Sequence, residues 1–100
     1  MSYQQIVTEH LRITILRLLL EQPDYALNES VLLDAVTDFG FAPSRDKLRA
    51  ELAWLQEQGL ISLSGVSHCQ VATLTQRGED VAACRTTVPG VKRPRPGELR

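Results

Sequence analysis

No apolar run in these 100 residues approaches the ~18 that a membrane-spanning helix needs. A secretory leader is not expected either, because Glu9, His10, Arg12 and Arg17 interrupt the apolar residues near the start, so the expected location is the cytoplasm. Two cysteines, Cys69 and Cys84, are too few for a disulfide framework, and their spacing fits no zinc motif. There is no glycine-rich phosphate loop, and no serine or histidine has the context of a nucleophile and its base. Asp34 and Asp38 share a helix face without a nearby His or Cys, the pattern of a solvated acidic face. Neither catalysis nor a cofactor nor a metal is therefore expected. A basic excess is also missing. The net charge is −1, and it is unevenly spread: residues 1–84 hold six cations against eleven anions, a net −5, and residues 85–100 hold five against one, a net +4. An acidic body repels phosphate, so any affinity for nucleic acid has to come from local patches.

What is present is an ordered series of helix signals. Over residues 42–61, APSRDKLRAELAWLQEQGLI, Ser44 stands where an N-cap hydroxyl is wanted and Pro43 discourages helix before it. Leu48, Leu52 and Leu55 fall on one face, Gly59 sits at the left-handed stop position, and Leu60-Ile61 open a strand. The spacing predicts a third helix over 45–58. A second is predicted over 29–39, capped by Asn28, with Glu29 at the positive end of the helix dipole, a stripe of Leu32, Val36 and Phe39, and Phe41 tucked into the core beyond Gly40.

The first helix is predicted over 3–21, with two apolar groups instead of one stripe. Val7, Leu11, Ile15 and Leu18 form one; Ile6, Ile13, Leu16 and Leu20 form the other. A helix that is apolar on two sides is buried on two sides. Either the second group meets a partner subunit, making Ile6, Ile13, Leu16 and Leu20 a homodimer interface, or helices two and four of the same chain cover it. A hairpin follows the third helix, with strands over 60–64 and 71–74 and a turn over 65–70, and a short last helix over 76–84 is capped by Thr75. Residues 86–100 are rich in Pro, Gly and cations and read as an extended or disordered tail on a domain of residues 1–85.

Helix, turn, helix, strand and hairpin in this order give a mainly α fold with a small β-hairpin, the winged helix-turn-helix arrangement. Residues 10–83 resemble the winged-helix families of bacterial transcription regulators, such as the ArsR-like and MarR-like groups, through SRDKLRAELAWLQEQGLI (44–61), the short hairpin and LTQRGEDVA (74–82). The whole chain, including TVPGVKRPRPG (87–97), is similar to a family of small proteins encoded by Mu-like phages and prophages. The resemblance implies a phage or prophage regulator that binds double-stranded DNA. The Cys-X-Cys motif of ArsR-like metal sensors does not occur, and the wing tip, 65–70, carries no Arg or Lys.

If the third helix enters a major groove, its first turns meet DNA, so Ser44, Arg45, Lys47 and Arg49 are the candidate phosphate or guanine contacts. Ser67, His68 and Gln70 are the wing candidates, and Lys92, Arg93 and Arg95, with Arg100, those of the tail. The opposing reading treats these cations as ordinary solvated charges. Trp54, the one tryptophan, lies off the leucine stripe and reads as peripheral core under the wing, or as an anchor for a partner protein. The −5 body, the uncharged wing and the acids of helix three favour the alternative function, a protein-interaction module without specific DNA binding.

Overall fold

The computed structural model describes residues 2–66 and 68–96. Its elements run α1 (Tyr3–Leu20), β1 (Ala26–Asn28), α2 (Glu29–Asp38), α3 (Arg45–Glu57), β2 (Ile61–Val66), β3 (Cys69–Leu74) and α4 (Gln76–Ala82). Each helix start is closed by a side chain that accepts from a backbone N–H of the first turn. Ser2 does this for α1 in a reciprocal capping box with Gln5, Asn28 for α2, Ser44 for α3 and Thr75 for α4. The sheet is antiparallel in the order β1-β3-β2. Strand β1, only three residues long and directly ahead of α2, went unread in the sequence because a strand this short shows no period. The wing pairing extends to Gly65↔Gln70 and Val66↔Cys69, so the strands reach into the stretch expected to turn over 65–70.

Helix α1 is the axis of the fold, packed by α2, α4 and β3. Both of its apolar groups are used inside one chain: Ile15, Leu16 and Leu19 are fully buried, with Leu11, Ile13 and Leu18 close behind. This corrects the expected dimer surface. Ile13 and Leu16 lie in the protomer's own core and Leu20 packs against it, whereas Ile6 remains exposed. The α3 stripe of Leu48, Leu52 and Leu55 is fully buried as expected, together with Leu32 and Val36 of α2. Phe39, assigned to that α2 stripe, is instead 64% exposed: it is the C-cap residue, where the chain has already left the helix, and the partly buried Phe41 packs against the core. Leu60, just ahead of β2, meets α4 at Gly78, where a Cβ would collide with the Leu60 carbonyl oxygen.

The segment after α4 departs from the expected disordered tail over 88–92. Val88 and Val91 are buried in the core, the Val91 amide turns back to the Val88 carbonyl at 3.1 Å, and the Lys92 amide donates to the Glu9 carbonyl at 3.3 Å. Gly90 makes the turn possible. Its φ is +97°, and a Cβ there would stand 2.8 Å from the Trp54 ring. Trp54 therefore covers this segment, packed against the core as expected. Two valines isolated among prolines and cations have no period to announce them. Arg100 lies outside the described residues.

Each buried valine is worth up to about 2 kcal/mol. A chain ending at Thr87 is expected to lose about 3 kcal/mol in urea unfolding; an unchanged midpoint would show that the segment adds nothing to the fold.

Candidate nucleic-acid interface

The outward ridge of α3 carries Asp46, Ala50, Ala53 and Glu57, all exposed. Two alanines let another surface approach closely, while the two acids oppose phosphate. The cations expected to contact DNA lie on the flanks of this ridge, and each flank is organised by a buried carboxylate.

On the first flank the carboxylate is Glu29, the first residue of α2, which is fully buried. Arg49 grips it with two bonds, Nε to Oε2 at 2.7 Å and Nη2 to Oε1 at 3.0 Å. Arg45 donates from Nη1 to Oε2 at 2.9 Å and from Nη2 to the Ser30 hydroxyl at 3.1 Å. The backbone N–H of Gln70 donates to Oε1 at 2.7 Å. The Arg49 bonds above all, with those from Gln70 and Arg45, outweigh the cost of burial and hold the Glu29 carboxyl at about 2, against 4.5 for an ordinary glutamate. Glu29 in turn raises the Arg49 guanidinium. The arginine side chains stay 42% (Arg45) and 34% (Arg49) exposed, so two cations that share one buried anion show their outer edges to solvent, with Asp46 also acting on Arg49.

On the second flank Glu51 is buried between Lys47, whose Nζ lies 2.8 Å from Oε2, and Arg12, whose Nε lies 2.6 Å from Oε1. Burial pushes the Glu51 carboxyl up, and the bonds from Lys47 and Arg12 more than reverse it, leaving it lowered. The Arg12 guanidinium stacks 3.8 Å from the Trp54 ring centre and donates from Nη1 to the Gly90 carbonyl at 2.9 Å. This clasp joins α1, α3 and the C-terminal segment. Lys92 follows it, half-buried, and then Arg93 and Arg95, which are exposed.

Ser44 is engaged as the α3 cap, accepting from the Lys47 amide at 3.0 Å. At the wing tip His68 is exposed and Val66 presents an apolar surface. Ser67 lies outside the described residues. Gln70 is not at the tip: it is paired with Gly65 inside the hairpin, and its amide is spent on Glu29. Gln56, on the Arg45 flank, accepts from the Leu63 amide and fastens β2 to α3. The structure thus brings Arg45 and Arg49 together, places Lys47 on the opposite flank, and adds Glu29, Glu51 and Arg12, which sequence reasoning missed. The i, i+4 spacing of Lys47 and Glu51 was a signal for one of these. The pairing of Glu29 with residues 16 and 20 positions away leaves no local trace.

No family model matches the chain. It is 46% identical over 91 residues to gp26 of Escherichia phage Mu, described as uncharacterised, covering 91% of this chain and 94% of gp26. It is 38% identical over 78 residues to an uncharacterised protein of Haemophilus influenzae, covering 77% and 76% of the two chains. Among solved structures it is similar to RosR of H. salinarum, with a TM-score of 0.68 at 19% identity, covering 82% of this chain and 72% of that one. It is also similar to a MarR-family transcriptional regulator of Streptomyces coelicolor solved in complex with DNA, with a TM-score of 0.63 at 23% identity, covering 87% of this chain and 55% of that one. These structural neighbours are winged-helix transcription regulators, and the likeness establishes the winged-helix fold.

The Glu29 shift has a thermodynamic consequence. A carboxylate held at about 2 when folded, against 4.5, contributes stability that is fully present above pH 4.5 and is lost as the pH falls toward 2. The difference corresponds to about 3 kcal/mol. Glu29→Gln is expected to be less stable than the parent by roughly this amount at neutral pH, with the gap closing between pH 4.5 and 2 in urea titrations. A gap independent of pH would contradict the ion-paired state of Glu29.

Proposed function

The chain belongs to the family of Escherichia phage Mu gp26, and we propose that it is a winged-helix transcription regulator of phage or prophage setting that binds double-stranded DNA in the cytoplasm. The observation that carries this reading is the presentation of α3. The helix stands outward beside the wing with the edges of Arg45 and Arg49 at its N-terminal end, where a recognition helix meets base edges. Arg45 and Arg49 are suited to guanine or phosphate, Lys47 and Ser44 to phosphate on the other side of the helix start, and His68 to the adjoining groove. Arg93 and Arg95 would follow the backbone. No catalytic step is assigned.

The protein would act as a homodimer, placing two copies of α3 in successive major grooves. With Ile13, Leu16 and Leu20 committed to the protomer, the surface that supports this assembly is the exposed apolar patch at the start of α1. Tyr3 and Phe39 flank a groove of about 690 Å³ that Val7, Phe41 and Ala42 also line, with Ile6 near by on α1. A second reading, a protein-interaction module, is favoured by the acids of the α3 ridge, Asp46 and Glu57.

Fluorescence anisotropy with pooled fragments of the source genome over a salt titration separates the two. The regulator is expected to bind saturably, with log affinity falling against log salt. Arg45→Ala with Lys47→Ala leaves each buried glutamate one cation, and is expected to weaken binding about tenfold or more and flatten the salt slope by roughly two phosphates' worth. Parent-like affinity and slope in the double variant would remove α3 from the contact surface. Absence of binding at low salt would favour the protein-interaction module. Light scattering checks the dimer.

A further inference from the structure

We propose that Glu29 is a specificity-determining residue of the α3 surface: a fixed anion that positions Arg45 and Arg49 and offsets one of their two charges, so that binding depends more on base fit than on phosphate attraction. This rests on the DNA-binding reading and deepens it. The carboxylate accepts from both arginines and from the Gln70 amide, and it has no exposure through which water could replace them. Arg49 is held by a fork of two bonds, and Arg45 is fixed between Glu29 and Ser30. Both guanidiniums therefore have set positions before any ligand arrives, which lowers the ordering cost of a planar, two-bond contact. An arginine that left Glu29 for a phosphate would strand part of a buried charge, a costly exchange. The tether is thus expected to persist in the bound state, with the exposed edges of the arginines turned to the DNA.

The same carboxylate also sets a distance. Through the Gln70 amide it joins β3, the returning strand of the wing, to the start of α3, so the two elements that approach DNA share one anchor. Glu51 is arranged differently. One of its cations, Arg12, is turned inward to Trp54 and Gly90, so only Lys47 faces outward from it. Glu29 is the site where both paired cations keep part of their side chains exposed at the surface.

The test measures the affinity of the full-length protein for two probes across a salt series: a random-sequence duplex, and a duplex enriched from a random pool by the parent protein. Glu29→Gln keeps the side-chain volume and one acceptor oxygen while removing the charge. It is expected to bind the random duplex several-fold more tightly, to steepen the salt slope by about 0.9, the increment for one more neutralised phosphate, and to narrow the preference for the enriched duplex. A merely structural role would weaken both probes and leave the slope alone. A folded variant with parent-like slope and preference, or with weaker random binding, overturns the assignment while leaving the regulator reading intact. A parent protein that binds neither probe removes both.

Should the variant fail to fold, NMR on the parent replaces it. The Arg49 Nε–H signal is expected to stay protected from exchange in the free and DNA-bound protein. Its loss on adding DNA would show the tether breaking, and would overturn the proposal.

Discussion

Two glutamates are buried against α3, and a buried carboxylate is tolerable only with charged partners that meet most of its oxygen lone pairs. This condition organises the surface of α3. Glu29 draws Arg45, Arg49 and a wing amide onto one flank; Glu51 draws Lys47 and Arg12 onto the other. The cations that a linear reading assigns to DNA are therefore structural partners first. Their outward edges stay partly exposed, but their charge is shared. Counting lysines and arginines on α3 overstates its pull on phosphate, because each pair of cations carries one anion with it.

The second cluster has a further consequence for the architecture. Arg12 bonds Glu51, stacks on Trp54 and donates to the Gly90 carbonyl, so one guanidinium joins the central helix α1, α3 and the C-terminal segment. Val88 and Val91 then close a part of the core that the helices leave open. A domain this small buries a limited share of its surface, and two more valines are a sizeable addition. The basic residues from Lys92 onward thus leave the body at a fixed point beside α1 instead of trailing from the end of α4.

Legibility in the sequence followed the range of the interactions. The four helices, their caps at Asn28, Ser44 and Thr75, and the leucine stripe of α3 are local matters, and the structure bears them out within a few residues. The two-sided burial of α1 was legible as a pattern; its occupant was not, because periodicity says that Leu16 is covered without saying by what. Strand β1 is too short for a period, and Val88 and Val91 too isolated. Of the interface, Arg45 and Arg49 were legible as cations at a helix start. Glu29 read as a residue that merely suits a helix dipole, since its arginine partners belong to the next helix.

The remaining tension is between a winged-helix form and an acidic body. The buried carboxylates narrow it. Eleven anions lie within residues 1–84, but Glu29 and Glu51 project no charge outward, being matched by cations at contact distance. Much of the remaining acid lies away from α3: Asp34 and Asp38 are exposed on α2, and Glu79 and Asp80 pair with Arg85 at α4. What opposes DNA locally is Asp46 and Glu57 on the α3 ridge. A carboxylate facing a groove accepts from a cytosine amino group and repels phosphate. On the proposed reading, an interface built in this way would have little non-specific attraction, and would gain affinity only where the base edges suit both the tethered arginines and the ridge between them.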